Sequence, residues 1–481
     1  MRRAWIGLAF ALAAVAARLD AQPPTTSPPT APPMYLPYRY DEDWSAMRDP
    51  ARRTEWWDEI KYIPLRESAD GSNADWYLSL GGEARWRYEQ FQHPAFGAQP
   101  QDDSGYALQR YLLHGDWRFG PRVRVFTELQ SGLEAGRRGG PRPTDEDQLD
   151  VHEAFVDVRW GSRERGTFTV RGGRQEVAFG AGRLMSAAEG LNVRRSFDGL
   201  RLIATRGRWT FNSTALRLVA AQRGLFDDKN EAGQSYLGAG ATGPHPFLRN
   251  GNTSLAAYYF RFRRDDARVD EGVVDSRRHV IGTRTWGRVG SFEHDEEVIV
   301  QWGRQSGSSG RGAVRAWALA FEEGYTFERV SRHPRVGVRT FVASGDRHRG
   351  DGRLGSFDPL FPGTAYSGRA GLIGPTNLIT LDPNLRVLLT PRVTLTTDWA
   401  WFWRTRIEDG VYGINASLLR TGRLSAARFV GSQATLELDW RVGRHLSVSG
   451  SIVGFQTGRF LEETPPGDDI RYVAIQTAYR F

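Results

Sequence analysis

The sequence predicts an all-β protein: a single antiparallel transmembrane β-barrel of about 18 strands, preceded by a signal peptide and a Pro-rich linker. Three observations carry this prediction. From Trp76 to Phe481 the chain is one uninterrupted series of segments that alternate polar and apolar residues, broken by Gly, Asp, Pro and Arg loops. Period-2 alternation marks a strand whose two faces meet different surroundings. Many of these segments are bordered by Trp, Tyr or Phe, as an interfacial girdle requires. Nowhere does the chain reach the ~18 consecutive apolar residues of a spanning helix, which rules out an α-helical inner-membrane protein.

Composition agrees and narrows the chemistry. The 16 Trp, 16 Tyr and 25 Phe give enough apolar surface for a large ordered structure, so global disorder is excluded. The absence of Cys removes disulfide scaffolds, thiol catalysis and Cys-based zinc sites, and only 9 His remain as nitrogen ligands. The net charge is +8, and Lys61 and Lys229 are the only lysines. So strong an Arg bias has two readings: a GC-rich genome, or a wall of fixed guanidinium groups facing an anion.

The elements follow in order. Arg2 and Arg3, the apolar run Trp5 to Ala17, and Leu19-Asp20-Ala21 have the form of a secretory signal peptide over 1–21. Residues 22–37 are Pro- and Thr-rich and read as an extended linker. Residues 38–75 are polar, with Trp44, Trp56 and Trp57 interspersed, and read as a periplasmic lead-in or plug-like segment. The barrel occupies 76–481. Glu83, Arg85, Arg87 and Glu89 share one face, opposite Ala84, Trp86 and Tyr88. Arg124, Glu128 and Gln130 likewise alternate with Val123, Val125 and Leu129, and Gln433, Glu437 and Asp439 with Leu436, Leu438 and Trp440. A β-sandwich would also alternate, but it cannot absorb so many long strands in one series. In lipid the apolar face points outward, and the sheet must close because every backbone group needs a partner. The longer loops are expected at 135–148, 177–197, 221–235, 243–252, 345–371 and 406–428.

Several motifs are weaker than they look. Gly238-Ala239-Gly240-Ala241-Thr242-Gly243 has the literal dinucleotide-loop spacing, but Pro244 and Pro246 follow where a helix should start, so it reads as a small-residue strand and turn. The run Asp145, Glu146, Asp147, Asp150 could hold calcium or be a solvated loop; the latter is preferred, and no metal or cofactor is assigned. Glu176, Glu189 and Asp198 could be imagined as glycosidase acids, yet nothing fixes their separation, and no G-x-S-x-G is present. The chain is read as a channel rather than an enzyme.

The strongest constellation is the set of arginines on polar faces. It includes Arg85, Arg87, Arg110, Arg171, Arg201, Arg284, Arg339 and Arg404. Acids on the same faces offset part of it, and cross-strand Arg–acid pairs that merely brace the wall account for half or more. The surplus would make a confined positive potential that attracts anions. Gly172-Gly173-Arg174-Gln175-Glu176 breaks the alternation mid-strand and suggests a bulge. Arg183, Arg194, Arg195 and Arg201 then put four cations in one loop–strand unit, which would constrict the lumen if folded inward.

These residues, together with Asp41-Glu42-Asp43-Trp44, Ile60-Lys61-Tyr62-Ile63-Pro64-Leu65 and Leu80-Gly81-Gly82-Glu83-Ala84-Arg85, carry a resemblance. Arg194-Arg195-Ser196-Phe197-Asp198-Gly199, Phe357-Asp358-Pro359-Leu360-Phe361-Pro362, Gly374-Pro375-Thr376-Asn377-Leu378 and the terminal Tyr479-Arg480-Phe481 extend it. The whole chain from about residue 38 resembles the alginate-export family of outer-membrane β-barrels. The resemblance implies a monomeric barrel with an Arg-rich constriction that passes a polyuronate, and loops that gate each end. It carries Arg174, Arg194, Arg195 and Arg201 over as constriction residues, and Glu176 and Asp198 as acids that position them. The Pro-rich linker and the near-absence of Lys depart from that pattern. The implied partners are an anionic polysaccharide or small anions, outer-membrane lipid and periplasmic export machinery, with no nucleic acid. A general or anion-selective uptake porin is the alternative.

Overall fold

The computed structural model describes residues 33–66, 76–101, 104–162, 164–248, 252–307, 310–363 and 369–481. The expected signal peptide and most of the linker lie outside the described residues. Eighteen strands form one closed antiparallel barrel. In chain order they are β1 Trp76–Gln92, β2 Tyr106–Phe119, β3 Val123–Ala135, β4 Asp147–Ser162, β5 Gly166–Gln175 and β6 Phe197–Arg206. Next come β7 Trp209–Ala220, β8 Lys229–Pro244, β9 Thr253–Val269, β10 Gly272–Val289, β11 Phe292–Gly307 and β12 Gly310–Thr326. The last six are β13 Arg335–Ala343, β14 Leu378–Thr390, β15 Val393–Arg404, β16 Phe429–Arg441, β17 Leu446–Thr457 and β18 Ile470–Arg480. Each strand pairs with its sequence neighbour, and β18 returns to β1 in register from Glu83↔Arg480 to Gln92↔Arg471. Closure leaves no edge in lipid, where an unpaired amide costs several kcal/mol.

The register confirms the parity read from the sequence. Glu83, Arg85, Arg87 and Glu89 face the lumen, and Trp86 and Tyr88 are exposed on the outside. On β11 the outward aromatics Phe292 and Trp302 bracket a stretch whose length matches the about 9–11 residues of a tilted spanning strand. Gly238 to Gly243 lie in strand β8, as a small-residue run. Their reason is packing: a Cβ at Gly238 would meet the Phe260 ring at 2.3 Å, and one at Gly282 would meet Tyr258 at 2.3 Å. The glycines let those rings lie flat against the lumen wall. At Gly172-Gly173 the expected bulge is absent; the register with β4 and β6 is continuous, and the strand simply ends at Gln175.

At the end where β1 begins and β18 ends no connection is longer than the eight residues of 245–252 and 327–334, which marks it as the periplasmic end by the usual asymmetry of such barrels. The loop expected over 243–252 shortens to 245–252 and lies at this end too. The longest connections, 176–196, 344–377 and 405–428, lie at the other end. Sequence reading missed two more there, 93–105 and 458–469.

The lead-in segment docks inside the periplasmic mouth as a series of short 3-10 turns, Arg39–Asp41, Ser45–Arg48, Pro50–Arg52 and Trp56–Lys61. Tyr40 packs edge-on against the stacked, lumen-facing pair Phe126 and Phe155. The C-terminus is part of the same joint. Gly82 N–H donates to Phe481 O at 2.8 Å, Arg39 Nη2 donates to the same oxygen at 3.0 Å, and the Phe481 ring stacks on Trp57. Lys61 is fully buried, donates to Leu80 O at 2.7 Å and lies over the Tyr35 and Trp44 rings.

Burial, reinforced by the Arg39 and Arg444 guanidiniums, brings the Lys61 amine down to about 7. In the undocked chain it titrates near about 10.4. Between those values the undocked chain binds a proton that the docked one does not, so docking strengthens as pH rises through that window. Proteinase K cleavage of the lead-in should slow by up to about tenfold per pH unit between about 7 and 10, and Lys61→Met should flatten the trend. A flat profile in the unmodified protein would refute the buried-amine explanation.

Candidate functional site

The lumen is too wide for side chains alone to fill, and the chain folds back into it. Loop 176–196 crosses from β5 to the far wall and returns to β6. Its outward leg is pinned by Arg183, whose Nη1 contacts Asp295 at 3.0 Å and Glu297 at 2.9 Å on β11. Its return leg is pinned to β1 and β2. Arg110 binds Glu83 at 2.6 Å and Glu189 at 2.9 Å, and Arg85 donates to the Glu189 and Leu191 carbonyls. Asn192 Nδ2 donates to the carbonyls of Gln109, Leu133 and Asp145. Loop 344–377 enters from the opposite side. Arg264 holds Asp358 at 2.9 Å, and Arg278 donates to Ser356 O at 2.9 Å. The two loops meet mid-lumen: Phe361 N–H donates to Leu184 O, and Gly363 N–H to Gly182 O, each at 2.8 Å. Phe361 packs on Phe197 and Tyr236 beside Leu184 and Met185, so the meeting point is apolar.

The arginines singled out from the sequence fall into four groups. Arg87, Arg171, Arg284 and Arg339 face the lumen in ion pairs, with Glu89, Asp157, Asp295, and Asp382 plus Asp398 respectively. Arg110 is a buried strut between wall and loop, and Arg194 ties the loop to itself, holding Glu176 at 2.5 Å and Glu189 at 3.1 Å. Arg85, Arg195 and Arg404 bind backbone carbonyls. Arg195 takes Ser186 O and Phe361 O, and Arg404 takes those of Ile407, Asp409, Ser425 and Ala427. Arg201 stands apart. It is half-buried, faces the lumen, and gives Nε and Nη2 to the neutral Asn212 Oδ1 at 3.1 and 2.9 Å. Among the described residues it makes no ion pair.

Two residues carried over by resemblance do not lie in the lumen. Arg174 pairs with Ala154 and Asp198, and Asp198 with Arg217, all on the outward parity at the long-loop rim. Arg174 binds Asp198 at 3.0 Å there. Glu176 is inside the barrel, but as a buried anchor: it binds Arg194, and His152 Nε2 at 2.8 Å. No pattern along the chain signals Asn192 or the seam between the two loops, because both depend on contacts far apart in the chain.

The charge of the lumen is therefore uneven. A cavity beside Arg183 on the β12–β16 wall is lined by Glu322, Arg339, Asp382, Asp398 and Gln433, so acids outnumber cations there. The β5–β8 wall is different. Thr167, Thr205, Thr210, Asn212 and Thr242 present neutral polar groups, and Arg201 supplies the charge.

The alginate-export profile matches residues 76–474, which is the whole barrel except its last residues. The chain belongs to the alginate-export family. Among curated proteins no sequence matches significantly. Solved structures with the same fold include Pseudomonas aeruginosa OpdK with vanillate, at TM-score 0.56 and 11% identity, covering 84% of this chain and 98% of that one. OccK8 (OprE) of the same organism gives TM-score 0.55 and 14% identity over 84% and 98% of the two chains. OccK3 (OpdO) gives 0.53 and 13% over 84% and 95%. With the family and these barrels in view, the protein is an outer-membrane channel of the alginate-export family.

Arg183→Ala leaves Glu297 without its cation, while Asp295 keeps Arg284, and frees the outward leg of the constriction loop. Removing one member of a buried pair costs about 3 kcal/mol or more. Planar-bilayer recordings should show a larger and noisier conductance than the unmodified protein. An unchanged trace would mean that the loop is held by its return leg alone.

Proposed function

We propose that this channel passes an anionic, uronate-rich polysaccharide out of the cell. The observation that carries the reading is a lumen arginine outside any ion pair, Arg201, faced only at longer range by Asp41 of the lead-in, beside a neutral polar wall in a chain of the alginate-export family. A uronate polymer offers one carboxylate and several hydroxyls per sugar. Hydroxyl and amide groups on β5–β8 exchange hydrogen bonds with sugar hydroxyls at little net cost, because water is replaced by an equivalent partner. Arg201 supplies a carboxylate contact that is strong enough to favour entry and exposed enough to release. Weak, repeated contacts suit a polymer that must keep moving. The remaining arginines hold the loops and would act on the polymer only through the shape of the opening.

A second reading, passage of small carboxylates, is favoured by the two loops that cross the lumen, and by the likeness to a barrel solved with vanillate. The two readings separate by block. In planar bilayers, uronate oligomers should reduce the current at concentrations where neutral dextran of equal length does not. Arg201→Ala should weaken that block by about five- to tenfold and shift the reversal potential away from anion preference. Equal block by both polymers would overturn the polyuronate reading. Anion preference without polymer block would leave the small-anion channel.

A further inference from the structure

Four acids converge at the long-loop rim, outside everything used so far. Asp147 and Asp150 open β4, and Asp227 and Asp228 end the loop before β8. One carboxylate oxygen from each of Asp150, Asp227 and Asp228 lies within 4.8 Å of the other two. Oxygens bound to one Ca²⁺ at about 2.3–2.6 Å lie at most about 4.6–5.2 Å apart, so the spacing suits that ion. Asp147 supplies the independent observation. It is 0% exposed, its carboxylate oxygens lack a well-formed hydrogen bond with only the Gln130 side chain near them, and the charges that face it are Asp228 and Asp150. Asp227 Oδ1 is also buried and unpartnered. A bare buried carboxylate costs several kcal/mol, a cost that a bound cation relieves. Among the described residues, the one guanidinium in ion-pair contact with these acids is Arg174, 3.4 Å from Asp150 and shared with Asp198.

The backbone already holds the two halves together. Leu149 pairs with Leu225, Phe226 N–H donates to Leu149 O at 2.9 Å, and Asp228 N–H donates to Asp150 Oδ2 at 3.0 Å. The rest of the acidic run is spent elsewhere: Asp145 binds Arg137 and Arg142, and Glu146 faces Arg223. We propose that Asp147, Asp150, Asp227 and Asp228 form a Ca²⁺ site that staples the rim of β4 to the loop before β8. All-oxygen donors on flexible segments favour Ca²⁺ over the nitrogen- and sulfur-seeking metals and over the stricter octahedron of Mg²⁺. The site bears on the channel through its neighbours. Asp145 O accepts from Asn192, and Thr144 O accepts from Val193 N–H, both on the constriction loop. An ion here would stiffen the ledge against which that loop rests. The inference does not depend on what the channel carries.

The test is calorimetric titration of Ca²⁺ and of Mg²⁺ into the full-length, chelator-stripped protein in detergent micelles. One Ca²⁺ per chain is expected, with a dissociation constant of about 0.1–1 mM, typical of extracellular sites, and weaker Mg²⁺ binding. Asp147→Asn should abolish binding. Asp227→Asn, in the loop, should weaken it at least about tenfold while the barrel still shows heat-modifiable migration. No binding at millimolar Ca²⁺, or Asp227→Asn binding as well as the unmodified protein, would overturn the site.

Discussion

Every backbone N–H and C=O in the hydrocarbon layer must find a partner inside the protein, and the rest of this molecule follows from that demand. The sheet can meet it only by closing, and here it closes by pairing β18 with β1 through Glu83↔Arg480. Closure at eighteen strands fixes a lumen wider than side chains can fill. An empty tube would be an unselective hole, so chain must be spent inside it. That chain carries its own amides and carbonyls, now in a confined space with little water to satisfy them. The burden of pairing has moved from the lipid to the lumen.

Arginine discharges that burden, which gives the Arg-for-Lys bias a physical meaning beyond charge. A guanidinium has five N–H donors in a rigid plane, so one side chain can satisfy several loop carbonyls at once. Arg404 binds four carbonyls of loop 405–428, and Arg85 and Arg110 both take Glu189 O and Leu191 O. A lysine ammonium offers three donors without that geometry. The sequence-level picture of a uniformly electropositive bore is thus replaced by a division of labour. Most lumen arginines are structural, either paired to wall acids or capping loops, and the free charge is local.

Strand parity was legible because it needs only neighbours two residues apart. Trp399, Trp401 and Trp403 outward and Asp398 inward could be read directly, and the register agrees. The assignment of Arg174 and Asp198 to the lumen failed for the complementary reason. It came from resemblance rather than parity, across Gly172-Gly173, where the alternation gives no count to follow. A one-residue difference there moves a side chain to the other face. The inward fold of loop 344–377 was not legible either. Its anchors are Arg264 and Arg278, some 80 or more residues away in sequence, and a pattern read along the chain does not register such pairs. The acidic rim cluster was half visible: Asp147 and Asp150 stood out, but Asp227 and Asp228 come from a loop that looks solvated by itself.

The weakest joint in the closed lumen is the seam where the two loops meet. Loop 176–196 is fixed to the walls by buried ion pairs at Arg183 and Arg110, and loop 344–377 by the Arg264–Asp358 pair. Among the described residues the loops are joined by two backbone hydrogen bonds, the Arg195–Phe361 contacts and an apolar seam. Breaking a buried ion pair by exposing one partner costs more than parting neutral hydrogen bonds that water or a sugar can replace. An opening that admits a polymer would therefore part the seam and leave each loop on its own wall. Sugar hydroxyls are well suited to take over the freed carbonyls of Leu184 and Gly182, so a polysaccharide brings with it the groups that the opening leaves unsatisfied, whereas a small ion does not.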